Sequence, residues 1–455
     1  MKYKTTLTFH GGAGSVTGAN FLFDIGKSRV LVDCGLIQGN KFCEELNYGD
    51  FPYDPAHIDT LLVTHAHSDH IGRIPKLVRN GFRGSIISTP ATKDIASVMF
   101  EDALNIMREE SKEKGTPTLY DKEDIEKTLA GWSVCEYHES FDIGSDAVAR
   151  FLDAGHILGS AMVEMERGGR RIVVTGDLGN SPAPVVKETE QLEHVHYLII
   201  ESVYGDRLHG AVEDRREVLR GIVEEVLAKQ GTLLIPAFSL QRTQAVLTEL
   251  NALVEDSAID PIPVYLDAPL ALRLLPIYRR YTQHFNERLR KRISVGDDPF
   301  DFEGLTLTPR VEESRAIASA PNPKIIIAGS GMSHGGRIRS HEKRFLDNKD
   351  TTILFIGYQS AGSLGRRIAE GQKRVRVDDK WVTVRADVRH MSSYSAHKDR
   401  DQLLDVVANT ASTLEQVFVA MGEPKSAQFF AQRVNDFLGV DSVVPERGQK
   451  FSLEW

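Results

Sequence analysis

The sequence predicts a mixed α/β protein built from two parts with different architectures. Residues 1–70 alternate short β-rich runs with Gly, Asn and Asp turns, a pattern typical of a β-meander. From about residue 207 the rhythm changes to strand, glycine loop and helix, which predicts a parallel sheet flanked by helices. At 455 residues the chain is also too long for one ordinary hydrophobic core. We expect one domain over 1–206 that the chain re-enters over 377–455, and a second domain inserted at 207–376.

Individual helices and strands follow from local patterns. Residues 91–114 place apolar side chains near helical spacing, and 121–130 predict a second helix with Asp121 as its N-cap. In the inserted part, the apolar run Leu233–Phe238 precedes a predicted helix at 241–253. Each such strand is expected to end in a loop that faces a ligand, as in other parallel α/β sheets.

A cluster of histidines is the most informative feature of the chain. Residues 64–70 read Thr-His-Ala-His-Ser-Asp-His and directly follow the apolar run Leu61–Val63. In an extended segment His65 and His67 project to one side, whereas Asp69 and His70 follow as the chain turns. Neutral imidazoles suit zinc, and a carboxylate adds a hard oxygen ligand. A metal-free surface cluster is the alternative, but this density of ligand types at a strand end favours a metal centre.

Three further ligand types stand at the ends of predicted strands. Asp33 closes the run Arg29–Val32, His156 lies between glycines, and Asp177 ends an apolar run that starts at residue 171. Each alone would be an ordinary turn residue or helix cap. The repetition of strand, ligand type and glycine predicts that they meet at one metal site.

In this order the motifs resemble those of the metallo-β-lactamase superfamily, which implies an αββα sandwich. The resemblance implies a first zinc ion held by His65, His67 and His156. It implies a second ion faced by Asp69 and His70, with Asp177 as the bridging ligand. Asp33 would orient the loop that carries His65 to His70 without itself binding a metal. Zinc is the expected metal, with manganese as an alternative.

An α/β module inserted into this fold is the plan of the β-CASP nucleases. Glu201–Arg207 looks like their motif A, and Ser395-Ala396-His397 looks like their motif B. The inserted loops are similar to the RNA-processing branch, which includes RNase J and the nuclease subunit of polyadenylation complexes. For phosphodiester hydrolysis we expect Asp69 to contact the reacting water, His397 to contact the phosphate and act as the general acid, and Glu201 to fix the tautomer of His397. The implied RNA contacts are Ser395, Arg242, Ser330, Arg337 and Arg366.

One position departs from the β-CASP pattern. Where the family has a histidine that completes the second metal site, this chain has Met421, followed by Gly422-Glu423. A thioether is a poor ligand for zinc or manganese. The second ion would then keep Asp69, His70 and Asp177, and Met421 would take the commonest role of methionine, which is core packing.

Charge is unevenly distributed along the chain. The formal net charge is −9, but residues 207–376 carry 26 Lys+Arg against 21 Asp+Glu, or +5. The remainder carries 29 against 43, or −14. A basic part beside an acidic, metal-bearing part would attract a polyanion such as RNA. Helix faces with paired charges are the alternative explanation of the arginines.

Composition narrows the setting in which such a protein would act. No apolar stretch approaches the length of a membrane span, the first residues lack the apolar core of a signal peptide, and the three cysteines fit free thiols. These observations predict a cytoplasmic protein, and the resemblance makes a homodimer plausible.

We therefore expect a zinc-dependent ribonuclease that hydrolyses phosphodiester bonds with metal-activated water, as an endonuclease, a 5′→3′ exonuclease or both. A non-catalytic RNA-binding subunit is an alternative that only Met421 favours. A small-molecule hydrolase such as a thioesterase or lactonase would leave the basic insert without a purpose. A DNA nuclease of the same superfamily is the closest rival, although the inserted loops favour RNA.

Overall fold

The structure is a computed structural model that describes residues 4–39, 41–209, 215–360 and 362–455. The chain divides into two compact units. The first unit comprises Met1–Ser181, Glu188–Leu208 and His397–Trp455, and the second comprises Pro182–Lys187 and His209–Ala396. None of the helices in the described ranges combines the length and the apolar composition of a membrane span.

The strands follow one another along the chain in three groups. The first unit begins with β1 Lys4–Gly11, β2 Asn20–Asp24, β3 Arg29–Val32, β4 Thr60–Leu62, β5 Ser85–Ser88, β6 Trp132–Val134, β7 Ser140–Gly144, β8 Ala147–Asp153, β9 Ala161–Arg167, β10 Arg170–Val174 and β11 Tyr197–Glu201. The second unit contains β12 Thr232–Pro236, β13 Val264–Asp267, β14 Leu305–Leu307, β15 Lys324–Ala328, β16 Thr351–Phe355, β17 Arg374–Val377, β18 Lys380–Thr383 and β19 Asp387–His390. The first unit then resumes with β20 Gln416–Ala420, β21 Ser442–Val443 and β22 Lys450–Glu454.

The helices are divided in the same way between the two units. The first unit begins with α1 Lys41–Glu45, α2 Ser68–Ile71, α3 Ile74–Arg79, α4 Pro90–Lys114 and α5 Lys122–Ala130. The second unit contains α6 Arg215–Ala228, α7 Arg242–Glu255, α8 Pro269–Arg280, α9 Glu287–Ser294, α10 Val311–Ala316, α11 Ile338–Phe345 and α12 Leu364–Ala369. The chain returns to the first unit with α13 Arg400–Ala408 and α14 Pro424–Arg433. Short 3₁₀ turns lie at Pro55–His57, Thr282–His284, Ile317–Ser319 and Ser392–Tyr394, and a π-helical turn at Val434–Leu438.

The first unit is an αββα sandwich, as predicted. One seven-stranded sheet has the order β22-β1-β2-β3-β4-β5-β6, and the other has the order β21-β20-β11-β10-β9-β8-β7. Phe9 and Phe21 from the first sheet and Phe151 and Phe418 from the second belong to one buried apolar cluster between the sheets. A second cluster joins the outer face of the second sheet to α13 and α14. Helices α13 and α14 therefore cover the outer face of the second sheet.

Strand directions bring the predicted ligand loops to common sheet edges. In the first sheet β3 and β4 are parallel neighbours, so the residues that follow them leave at the same edge. In the second sheet β8 and β10 are each antiparallel to β9, and β10, β11 and β20 are mutually parallel. The segments after β8, β10, β11 and β20 therefore also leave at one edge.

The second unit confirms the predicted parallel α/β architecture. Its six-stranded sheet has the order β14-β13-β15-β12-β16-β19, and every neighbouring pair is parallel. Apolar residues of β15, β16, α11 and α12 pack into one core on one face of this sheet. The sequence placed the end of this part at residue 376, whereas the compact unit extends to Ala396. The reason is that β19 pairs with β16 and so completes the second unit's sheet.

The predicted helices are present with small shifts at their ends. The 91–114 prediction corresponds to α4, and the 121–130 prediction corresponds to α5. Asp121 is the N-cap of α5, where its side chain accepts hydrogen bonds from the backbone N–H groups of Glu123 and Asp124. The helix predicted at 241–253 runs as α7 from Arg242 to Glu255.

A buried carboxylate organises one edge of the second unit. Asp267, at the end of β13, accepts hydrogen bonds from Thr308 Oγ1 at 2.8 Å and Ser314 Oγ at 2.6 Å. Arg337 Nη1 and His341 Nε2 each lie 2.7 Å from its oxygens. Burial acts to raise the pKa of Asp267, but these hydrogen bonds lower it from 3.8 to about 2. The stabilisation is therefore complete above about pH 4 and is lost as the pH falls through about 2.

We predict that Asp267→Ala lowers the free energy of unfolding by about 3–5 kcal/mol, because it leaves the partly buried guanidinium of Arg337 without its counter-charge and removes the acceptor of Thr308 and Ser314. Glu370→Ala is the matched control, since it removes the exposed partner of Arg366 and should cost at most about 0.5 kcal/mol. Urea unfolding of the full chain at neutral pH measures both. Equal effects of the two substitutions would contradict the structural role of Asp267.

Candidate metal centre

The loop after β4 is fixed from behind by Asp33. This carboxylate is fully buried and accepts hydrogen bonds from Thr64 N at 2.8 Å and Thr64 Oγ1 at 2.7 Å. Its Oδ2 also lies 2.7 Å from Nδ1 of His70. Because the Thr64 hydroxyl donates to Asp33, it accepts from Nδ1 of His65 at 3.1 Å. These contacts place the Nδ1 protons of both histidines and leave each Nε2 available as a ligand.

Four ligand atoms from three loops converge in the first unit. His65 Nε2 lies 3.1 Å from His67 Nδ1, which lies 3.2 Å from His156 Nε2. Asp177 Oδ2 lies 3.3 Å from His65 Nε2 and 3.5 Å from His156 Nε2. All four atoms lie within 4.8 Å of one another. The structure thus brings together the ligands that the sequence predicted for the first ion.

The spacing of these atoms fits a tetrahedral ion. Zinc–nitrogen bonds of about 2.0–2.1 Å at tetrahedral angles separate neighbouring ligand nitrogens by about 3.3 Å, close to the separations in this cluster. Burial lowers the pKa of His67 and of His156 well below the usual value, so both imidazoles are neutral near pH 7. Neutral imidazoles have the free electron pair that a metal requires.

A second group of atoms lies on the other side of Asp177. His70 Nε2 is 3.3 Å from Asp177 Oδ1, and neither buried atom has a hydrogen-bond partner among the described residues. Burial acts to lower the pKa of His70, but Asp177 and Asp33 raise it well above its usual value. A cation would take the place of that extra proton. Burial raises the pKa of Asp69, and His70 and Asp177 act on it electrostatically, but its carboxylate belongs to neither group of converging ligand atoms among the described residues.

Glu201 and His397 lie beside the histidine cluster. His397 Nδ1 is 3.1 Å from Glu201 Oε1, and that oxygen also accepts a hydrogen bond from Leu178 N at 2.7 Å. The Glu201 side chain is fully buried, whereas that of His397 is 22% exposed. The His397 and His156 rings are 4.7 Å apart between centroids. Asp177, Glu201 and His397 form another group that could hold a cation. It shares Asp177 with the group of His65, His67 and His156.

Met421 packs in the core between the two sheets. It is 2% exposed and belongs to the same apolar cluster as Phe21. A Cβ added at Gly12 would lie 2.5 Å from Met421 Sδ, so the thioether fills the space that this glycine leaves open. The backbone N–H of Met421 donates to the carbonyl of Gly12 at 2.7 Å.

The residues predicted to contact RNA lie in the second unit. Ser395 is buried, and its backbone N–H donates to the carbonyl of Ser392. Ser330 Oγ accepts from the backbone N–H groups of His334 and Gly335. The remaining three are arginines: Arg242 begins α7, Arg337 is held by Asp267, and Arg366 pairs with Glu370. The guanidinium of Arg337 also donates to the carbonyls of Thr308 and Pro309, which makes it a structural group at this edge.

Sequence reasoning missed two residues that position the ligands. Thr64 joins Asp33 to His65, and Ser160 Oγ accepts a hydrogen bond from the backbone N–H of His156 at 3.0 Å. The role of Thr64 could have been predicted, because it is a hydroxyl residue directly before the first histidine of the cluster. Ser160 follows His156 by four residues and gave no comparable signal, because its role depends on how the intervening loop folds.

The fold and the site define the class of protein, which is a metallo-hydrolase with the metallo-β-lactamase fold. Comparison of the sequence with known protein families supports this class. The chain matches the metallo-β-lactamase superfamily over residues 15–132, the Beta-Casp domain over residues 243–368, and the Zn-dependent metallo-hydrolase RNA specificity domain over residues 381–445. The chain belongs to the β-CASP family of the metallo-β-lactamase superfamily.

Similar proteins cover almost the entire chain. Ribonuclease TTHA0252 of Thermus thermophilus is 35% identical over 97% of this chain and 96% of its own length. Transcription termination factor FttA of Methanosarcina mazei is 30% identical over 96% of this chain and 70% of its own length. An RNase J-like protein of Methanocaldococcus jannaschii is 29% identical over 97% of this chain and 98% of its own length. A crystal structure of a protein of unknown function from Enterococcus faecalis shares the fold, with a TM-score of 0.59, 12% identity, and coverage of 99% of this chain and 100% of its own.

We predict that Thr64→Val weakens zinc binding by roughly 10- to 100-fold, because it removes the hydroxyl that orients His65 and anchors Asp33. Thr64→Ser retains that hydroxyl and is the matched control. Competition of each full-length variant with a chromogenic chelator gives the affinity. Unchanged affinity in Thr64→Val would show that the loop is held without this contact.

Proposed function

We propose that this protein is a metal-dependent ribonuclease that hydrolyses RNA phosphodiester bonds. The observation that carries the proposal is the convergence of His65, His67, His156 and Asp177, with the Glu201–His397 pair beside them. The Beta-Casp and RNA specificity matches, and the ribonuclease and RNase J-like relatives, support RNA as the substrate. Digestion of end-labelled RNA and DNA by the full chain, with zinc or with manganese, tests the proposal and separates endonucleolytic from 5′→3′ exonucleolytic cleavage.

Zinc is the metal we propose, with two ions per chain. The donor set of three imidazoles and one carboxylate suits zinc at the first position. His70, Asp69 and the second oxygen of Asp177 would hold the second ion, which lacks a further ligand because Met421 packs in the core. Bound ions would supply a more acidic water and neutralise charge on the phosphate. Weak binding of the second ion would favour a catalytically impaired RNA-binding subunit, the alternative to a nuclease.

The chain's own residues would position the reactants and move the proton. Asp69 would accept a hydrogen bond from the attacking water. Glu201 faces Nδ1 of His397 and so directs the other ring nitrogen away from itself. We assign to His397 the proton that the leaving oxygen requires. A cytoplasmic location, which rests on the composition, and a homodimer, which rests on the family resemblance, belong to the same proposal.

We predict that His65→Ala and Asp177→Ala each reduce RNA cleavage to background, because each removes a ligand of the first ion. RNA affinity, measured by fluorescence anisotropy, should stay close to that of the unaltered chain. His57→Ala is the matched control, since its side chain is 68% exposed and lies outside the cluster. Cleavage that survives in both ligand variants would refute the assignment of the metal centre.

We predict that His397→Ala lowers kcat by roughly 10²- to 10⁴-fold and changes KM little, as expected for a general acid. The loss should be much smaller for a p-nitrophenyl phosphodiester, because its leaving group departs without a proton. Glu201→Gln should show the same dependence on the leaving group with a smaller loss. Equal losses for RNA and for the activated ester would mean that His397 acts by binding rather than by proton donation.

A further inference from the structure

An exposed aromatic ring lies at the carboxyl edge of the second unit's sheet. Phe238 follows β12, and 36% of its surface is exposed, which is unusual for a phenylalanine next to a central strand. Its backbone is fixed, because Thr243 donates to the Phe238 carbonyl both from N at 3.1 Å and from Oγ1 at 2.8 Å. The ring is therefore presented to solvent by a rigid segment.

Two glycines shape the surroundings of this ring. A Cβ added at Gly331 would lie 2.6 Å from Phe238 Cδ2, so no larger residue fits there without moving the ring. A Cβ at Gly357 would lie 3.7 Å from Phe238 Cε2. The side-chain amide of Gln359 donates to the carbonyls of Gly331 at 2.9 Å and Gly357 at 3.3 Å. Gln359 thus clamps together the two loops that support Phe238.

The topology of the sheet places this ring where parallel α/β sheets bind ligands. β12 and β16 are parallel neighbours, and the chain leaves β12 towards β13 and leaves β16 towards β19, away from each other. Loops that depart in opposite directions open a crevice at the carboxyl ends of the two strands. Phe238 belongs to the loop after β12, and Gly357 belongs to the loop after β16.

We propose that Phe238 is a stacking platform for an unpaired nucleobase of single-stranded RNA. This inference rests on the proposed ribonuclease function and adds a binding subsite to it. A flat ring backed by glycines offers a π-face to a base of any identity. Tyr358, which directly follows Gly357 and is 40% exposed, offers a second aromatic group at this edge. The net charge of +5 over residues 207–376, from 26 Lys+Arg and 21 Asp+Glu, suits the phosphates on either side of a stacked base.

The test is the affinity of the full chain for fluorescein-labelled, phosphorothioate-linked oligoadenylate, which resists hydrolysis. Phe238→Ala and Phe238→Leu should weaken binding by roughly 5- to 100-fold, because both remove the aromatic face. Phe238→Tyr should bind like the unaltered chain. Gly331→Ala keeps the phenyl ring but displaces it, and should therefore weaken binding in the same direction. Phe429→Ala is the matched control, because Phe429 is 39% exposed and lies on α14 in the first unit.

An abasic version of the same oligonucleotide separates stacking from other effects. Every Phe238 variant should bind it as the unaltered chain does, and thermal melting should confirm that each variant is folded. Unchanged oligoadenylate binding by Phe238→Ala, or an equal loss of abasic binding, would overturn the platform. If the unaltered chain neither binds nor cleaves RNA, the proposed function fails. If it does both and Phe238 is irrelevant, only the platform fails.

Discussion

The structure of the metal centre depends on one buried carboxylate, Asp177, whose two oxygens face different histidines. Its Oδ2 faces His65 and His156, and its Oδ1 faces His70. Burial opposes ionisation of Asp177, but the charges of His70 and His65 hold its pKa well below the usual value. A buried anion is costly unless positive charge lies beside it, and a bound cation would supply that charge. The sandwich therefore has to deliver residues from several loops to within a few ångströms.

Glycines make that convergence possible where backbones touch. A Cβ at Gly35 would lie 1.5 Å from the carbonyl oxygen of Asp69, and a Cβ at Gly179 would lie 1.7 Å from that of Gly155. Both contacts join a ligand-bearing loop to a neighbouring loop, so the absence of a side chain sets the distance between them. The same device recurs in the second unit, where Gly331 permits the approach of Phe238. Close loop packing is thus a shared requirement of both candidate sites.

The sequence predicted those parts of the fold and site that depend on local pattern. Strand ends and the α5 cap at Asp121 could be predicted, because each depends on residues near one another in the chain. The candidate ligands could be predicted because each follows the end of a strand. The extension of the second unit to Ala396 could not be predicted from local pattern, because it depends on the pairing of β19 with β16, which are far apart in the sequence. The roles of Thr64 and Gln359 also depend on contacts between distant loops.

Met421 illustrates how one substitution separates the two parts of the metal centre. Its backbone has a positive φ of 44°, which is uncommon for a residue with a side chain, and its N–H is held by the carbonyl of Gly12. The thioether packs against Gly12 in the apolar cluster between the sheets. The first group keeps all four donor atoms, while the proposed second ion depends on His70, Asp69 and a shared oxygen of Asp177. Hydrolysis that requires only the first ion would therefore tolerate this substitution, whereas hydrolysis that requires both would become sensitive to metal concentration.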